Sequence, residues 1–307
     1  MICGIVDLGS NTIRLSIYQY EGQQVTLLLK QKHMAGLAGH VQDGALSRSG
    51  ILTACRVLGD YRALLNNLSV QSMYVFATAS LRNISNTGEA VEEIQKATGI
   101  PVSVLDGVTE AALAFRGATL GGGVSTGLLT DIGGGSSELV AYQQGVITSA
   151  SSLPLGSLSL YTRCVCDLFP TPEERRAMRT LVEGNLDAVR TPGLQCRELC
   201  GLGGTVRAAS RLAVDIFDKD PDDRTLSADE LEELYQRLAR GGKDALRQIL
   251  HSVPDRVHTI LPGLIILRCI VSAYGVERVS VSSTGVREGY LMARVIGAEP
   301  DAQCPAT

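Results

Sequence analysis

The chain has 307 residues, 45% of them apolar, a mean hydropathy of +0.13 and a formal net charge of −4. That length suits two domains of ordinary size with ample core for both, and the acidic balance argues against a nucleic-acid binder. The most apolar stretch, residues 257–271, is broken by Pro262 and Arg268 and is too short to span a bilayer, and Asp7 stands where a signal peptide needs a basic start and an apolar run. A cytoplasmic protein with no membrane role is expected. None of the eight cysteines forms a CxxC pair and several sit inside apolar segments, so reduced, mostly buried thiols are expected.

Residues 2–18, ICGIVDLGSNTIRLSIY, read as an apolar strand, an acid (Asp7), a small-residue turn and an alternating strand. A turn at Glu21-Gly22 leads to a third strand. Lys30-Gln31-Lys32-His33 then enters Gly36-Leu37-Ala38-Gly39, either a loop bringing basic groups toward a site or a solvated strand end. Ile51, Cys55, Leu58, Tyr61, Leu65 and Leu68 recur at helical spacing, and residues 73–78 read as a buried strand, which makes a parallel β-α-β connection. That strand empties into ATASLRNISN, residues 77–86. Thr78, Ser80, Arg82 and Asn86 there would stand at the carboxyl edge of the sheet, where doubly wound folds bind ligands, or form a capped surface turn.

A helix from Thr87 to Gly99 precedes a strand over residues 101–105, and Asp106-Gly107 turns the chain into TEAALAFRGATLGGG. Glu110 falls in the first turn of the helix that follows, with apolar residues from Ala111 to Phe115 behind it and Thr109 as its cap. A glutamate so placed favours the helix dipole. With apolar neighbours it also suits a general base. Gly121-Gly122-Gly123 reads as the hinge between two halves.

The second half opens as the first does. Residues 130–140, TDIGGGSSELV, are again strand, turn and strand, with Asp131 and Gly133 each 124 residues beyond Asp7 and Gly9. Alone, such a turn is a glycine hairpin between buried strands. Two copies in register point to phosphate loops, because glycines clear every Cβ from the approach and let backbone N–H groups converge on an anion. Ser136 and Ser137 add hydroxyls, and Asp131 and Glu138 are spaced to offer carboxylates to Mg²⁺. Two halves facing one another would clasp the anion in a cleft. Further on, Gly156 and Ser157 open a helix, and Thr171-Pro172-Glu173-Glu174 is a capping box whose helix runs to about Arg190. A strand ending at Cys200 enters GLGGTVRAAS, where Gly203 and Gly204 lead into a helix N-terminus suited to an anion or nucleotide. Residues 227–230 are a second capping box, for a solvent-facing helix. Residues 257–274 read as a buried helix kinked near Pro262-Gly263, residues 278–283 as a strand, and STGVREGYLMARVIG as a last glycine turn and helix.

Seven stretches in order make the chain resemble, over nearly its whole length, the exopolyphosphatase and guanosine pentaphosphate phosphohydrolase (Ppx/GppA) family. They are DLGSNTIRL (7–15), ATASLRNISN (77–86), TEAALA (109–114), DIGGGSSE (131–138), LPLGS (153–157), GLGGT (201–205) and STGVREG (283–289). The resemblance implies an α/β fold of two ribonuclease-H-like domains, of the actin-like ATPase and sugar kinase superfamily, flanking a cleft. The expected domains are residues 1–123 and 124–290, with residues 291–307 packing back on the first. By the same resemblance Glu110 activates water, and Asp131 and Glu138 hold Mg²⁺ or position water, with Asp7 a further metal ligand. Phosphate is expected at Gly9, Ser10, Asn11, Thr12, Arg14, Arg82, Gly133, Gly134, Gly135, Ser136, Ser137, Gly156, Ser157, Gly203 and Gly204.

The activity this implies is exopolyphosphatase action on short polyphosphate chains, in a homodimer. Guanosine pentaphosphate hydrolysis, a small-molecule kinase of the same fold and a non-catalytic polyphosphate or alarmone sensor are the other readings. Some positions depart from the family pattern. Thr109-Glu110 replaces a pair of acids, Lys32 stands where an arginine is common, and His258 where an acid is common. The chain ends near residue 307 without the helical C-terminal domain of longer relatives, so the short two-domain branch is expected.

Overall fold

The structure, a computed structural model, describes residues 1–120, 126–190 and 193–297. The hinge expected at Gly121-Gly122-Gly123 lies outside them, as do residues 298–307. The chain divides into two compact units, Met1–Gly121 joined by Thr284–Thr307, and Gly122–Ser283. Each is an α/β unit of the ribonuclease-H-like kind, as expected.

In the first unit β1 (Ile2–Leu8), β2 (Ile13–Glu21) and β3 (Gln24–His33) form an antiparallel meander, followed by a small hairpin of β4 (Val41–Gln42) and β5 (Ala45–Leu46). Helix α1 (Arg48–Asn67), capped by Ser47, buries Ile51, Ala54, Leu58, Tyr61 and Leu65 at helical spacing. It crosses to β6 (Ser72–Ala77), parallel to β1. The short α2 (Ala79–Arg82) and α3 (Thr87–Thr98), which ends at Gly99 with φ 68°, lead to β7 (Val102–Val104) and α4 (Gly107–Ala118). The sheet order is β3-β2-β1-β6-β7. β1 is buried from Cys3 onward, which is why it reads as an unbroken apolar run, whereas the edge strand β3 is largely exposed.

The second unit repeats the meander with β8 (Thr126–Ile132), β9 (Ser137–Gln143) and β10 (Val146–Leu153). Helices α5 (Ser157–Cys164) and α6 (Pro172–Val189) lead to β11 (Glu198–Leu202), parallel to β8, and then to α7 (Gly203–Phe217). After them come β12 (Thr225–Ser227), α8 (Ala228–Ala239), α9 (Gly242–Ser252), α10 (Ile260–Tyr274) and β13 (Arg278–Val281). The order is β10-β9-β8-β11-β13-β12. The chain then re-enters the first unit, where α11 (Val286–Tyr290) continues as a π-helical turn over Leu291–Ile296.

Several local expectations change. Asp106, not Thr109, caps α4: its carboxylate accepts from the Thr109 N–H at 2.8 Å and from the Thr109 hydroxyl at 2.6 Å. Helix α10 begins at Ile260, so Pro262 falls in its first turn, where a missing N–H costs nothing, and no kink is needed. Helix α8 is not wholly solvent-facing, since Leu231, Leu234, Tyr235 and Leu238 are buried. Fewer thiols are buried than expected: Cys3 and Cys269 are, Cys166 is exposed, and Cys55, Cys164, Cys196 and Cys200 are half-buried, all unpaired. Among the described residues no helix is long and apolar enough to cross a membrane.

Helices α4 and α11 meet backbone to backbone. A Cβ on Gly289 would lie 1.8 Å from the Leu113 carbonyl oxygen, and one on Gly117 at 1.8 Å from that of Gly285. Gly289→Ala is therefore expected to destabilise by about 1–3 kcal/mol through overpacking. Gly59→Ala, inside α1 where nothing lies within 4 Å of the new methyl, is expected to stabilise by about 0.5–1 kcal/mol. Thermal unfolding of the two variants checks both signs.

Candidate active site

Both turns singled out in the sequence are four-residue connections between the first two strands of a meander, Gly9 to Thr12 and Gly133 to Ser136. The repeat is also a repeat of register. Asp7 faces Arg14 across β1 and β2, and Asp131 faces Glu138 across β8 and β9. Directly opposed residues share a face of the sheet. The first turn thus offers an acid and a base side by side, the second two acids.

In each unit, neighbouring backbone N–H groups hold the turn by its carbonyls. Gly36 and Ala38 donate to the Asn11 and Ser10 oxygens at 3.0 and 2.9 Å. Ser157 donates to Gly133, and Leu158 and Ser159 to Gly134, each at 2.9 Å. In a trans peptide the C=O and the following N–H point opposite ways. Fixing those carbonyls therefore turns the N–H groups of Asn11, Thr12, Gly134 and Gly135 away from the holding segment, which is how backbone donors are gathered for an anion. Gly156 is essential to the fit, because a Cβ there would lie 2.4 Å from the Gly134 carbonyl carbon. Ser157 and Ser137 belong to this support. The Ser157 hydroxyl donates to Gly133 O at 3.1 Å and that of Ser137 to Leu155 O at 2.7 Å.

Glu110 is buried at the start of α4, at 6% exposure. Arg82, the last residue of α2, donates from Nη1 to Glu110 Oε2 at 2.6 Å and to Leu105 O at 3.0 Å. The two sequence candidates are thus brought together as an ion pair. Ser80 ties α2 to the end of β1 by donating to Leu8 O. Asn86, in contrast, is spent on β5, exchanging hydrogen bonds with the Leu46 backbone at 2.8 and 3.0 Å. Burial pushes the Asp7 carboxyl above its usual range, while Arg14 and Arg287 pull it back and Glu288 adds to the rise.

In the second unit Glu138 is buried and accepts from the Ser152 hydroxyl at 2.8 Å. Gly203, with φ 83°, leaves room for Asp131, whose Oδ1 lies 2.5 Å from where a Cβ would stand. Among the described residues no group of three or more His, Cys, Asp or Glu side chains could hold a metal ion by itself. Asp131 and Glu138 suit a Mg²⁺ that takes one or two carboxylates and completes its shell with water and phosphate oxygens. Arg256 is the residue sequence reasoning missed: a Cβ on Gly204 would lie 1.9 Å from its guanidinium, so the cation sits on the first turn of α7. His258 meets the ring of Tyr161, on α5, edge-on at 5.2 Å between centroids.

A model described as the Ppx/GppA phosphatase family matches residues 16–296. In structure the chain is similar to an exopolyphosphatase from Cytophaga hutchinsonii, at 22% identity over 97% of this chain and 99% of that one, with a TM-score of 0.85. It is also similar to a Ppx/GppA enzyme from Aquifex aeolicus, at 24% identity over 95% and 99% of the two chains, with a TM-score of 0.77. At such identities the structural likeness establishes the fold.

Burial lowers the His258 pKa from its ordinary value of 6.5, and Arg256 lowers it further. The unfolded chain then takes up this proton at higher pH than the folded one. His258 contributes stability above about pH 6.5 that is lost as pH falls through the lowered value. In melting curves taken from about pH 7 down to pH 5, His258→Phe is expected to lose Tm less steeply than wild type.

Proposed function

Because the chain belongs to the Ppx/GppA phosphatase family and is a phosphatase, we propose that it hydrolyses the terminal phosphate of inorganic polyphosphate, with Glu110 as the base for the attacking water. The observation that carries this is the buried carboxylate itself. Glu110 sits at a helix start with one oxygen fixed by Arg82, and Arg82 is in turn anchored on Leu105 O. A base needs a fixed orientation, and the guanidinium supplies it. The similar protein from Cytophaga hutchinsonii, itself an exopolyphosphatase, supports the choice of substrate.

Phosphoryl transfer asks mainly for positioning and for neutralising charge on the transferred group. In the first unit the backbone N–H groups of Asn11 and Thr12 would donate to phosphate oxygens, with Arg14 offsetting charge, and in the second those of Gly134 and Gly135 would do so, with Arg256 in that role. Asp131 and Glu138 would hold Mg²⁺, which when bound neutralises phosphate oxygens and orders water around them. Asp7 is the poorer metal ligand of the three, because Arg14 faces it across the hairpin. Glu110 takes the proton released as water attacks phosphorus, and the shortened polyphosphate leaves as an anion. Ser157 and Ser137 act through the turn they brace.

The test is phosphate release from polyphosphates of defined length, set beside guanosine pentaphosphate and ATP with several alcohols. Short polyphosphates are expected to be the best substrates. Glu110→Gln keeps an acceptor for Arg82 but cannot take the proton, so kcat is expected to fall roughly 10²- to 10⁴-fold with KM little changed. Stability is expected to drop as well, by roughly 1–3 kcal/mol, because Arg82 loses its counter-charge. Arg82→Ala should lower kcat more than it raises KM, since its partner is the base. Turnover of Glu110→Gln within about threefold of wild type, a barrier change of only about 0.65 kcal/mol, would remove Glu110 from the mechanism.

A further inference from the structure

We propose that Arg287, carried by the segment that returns to the first unit, is a positioning residue for Asp7, holding its carboxylate in place beside the Gly9 turn. The proposal rests on reading that turn as part of the phosphate site.

Register supplies the geometry. Along the β1–β2 hairpin Cys3 faces Tyr18, Ile5 faces Ser16 and Asp7 faces Arg14. Opposed residues share a face and every second residue repeats it. Tyr18, Ser16, Arg14 and Asp7 therefore project from one side of the sheet, and α11 covers that side. Glu288 accepts from the Tyr18 hydroxyl at 2.6 Å and from the Gly285 N–H at 2.7 Å. Arg287 Nη1 donates to the Ser16 hydroxyl at 2.7 Å, one step nearer to Asp7. Tyr290 stacks on Phe76, the β6 residue paired with Asp7, with ring centroids 4.8 Å apart.

The charges explain why an arginine stands there. Asp7 and Glu288 are 8% and 5% exposed, and two arginines stand on the same face, Arg14 directly opposite Asp7 and Arg287 on the neighbouring Ser16. Arg14 alone would balance Asp7, but Glu288 brings a second negative charge to the same face. Arg287 makes the count two of each sign. Buried carboxylates are retained only when so paired, and leaving one uncompensated is strongly destabilising. With Arg287 fixed by Ser16, the Asp7 carboxylate has a counter-charge at a set place.

A double-mutant cycle tests this without any assay of activity. Arg287→Met keeps the aliphatic stem and removes the charge. In thermal unfolding it is expected to lower Tm by about 4 °C or more with Asp7 present, and by less than half as much in an Asp7→Asn background. Equal losses in the two backgrounds would make Arg287 a packing residue and overturn the proposal. If Arg287→Met does not fold, Arg287→Gln takes its place in the cycle. Phosphate release gives the second reading: kcat should fall at least about tenfold in Arg287→Met, with Arg287→Lys recovering most of it by keeping the charge. A lysine variant no better than the methionine one would count against the proposal. A wild-type protein that releases no phosphate from any anhydride would remove the phosphatase reading, while the cycle would still decide for or against Arg287.

Discussion

A trans peptide points its carbonyl and the following N–H in opposite directions, and both glycine turns are organised by that constraint. In each unit a neighbouring segment captures carbonyl oxygens from one side, the Gly36–Ala38 backbone in the first and the start of α5 in the second. The donors on the other side follow without further contacts. This explains demands the turns make on distant positions. Gly156 must lack a Cβ because the chain there touches the Gly134 peptide, and Gly203 because it touches the Asp131 carboxylate and the Ile132 carbonyl.

The two units share this backbone device and differ in charge at one equivalent position. Arg14 and Glu138 occupy the same place in the hairpin register, each facing an aspartate. An aspartate facing arginine is largely neutralised and leaves the turn suited to an anion. An aspartate facing glutamate repels it unless a cation intervenes. One substitution across the repeat thus gives the two turns different charge, with no change in fold.

Buried charge sets the other requirement. Glu110, Asp7, Glu138 and Glu288 are all nearly out of solvent, and each would be costly to keep there alone. Arg82 reaches Glu110, Ser152 donates to Glu138, Tyr18 to Glu288, and Arg14 with Arg287 act on Asp7. The close crossing of α4 and α11 at Gly117 and Gly289 belongs with these contacts, because it brings Arg287 and Glu288 down onto the same sheet that Asp7 leaves.

Much of this was legible in the chain itself. Apolar periodicity marked the meanders and α1, capping boxes marked α6 and α8, and the 124-residue repeat of acid and glycine carried both turns and their shared register. Those signals are local, because strand alternation, helix caps and tight turns are decided within a few residues. Contacts between distant segments were not legible. That Arg82 would hold Glu110 depended on where α2 ends against α4, 28 residues on. That Arg256 would stand over Gly204 depended on a turn some fifty residues away. That STGVREG would reach Tyr18 and Ser16 depended on the chain returning across 270 residues. The sequence by itself determined the elements, the repeat and the acids proposed to carry chemistry. Only the tertiary structure decided which cation each acid meets, because a counter-charge is chosen by distance in space, and local pattern carries no record of that distance.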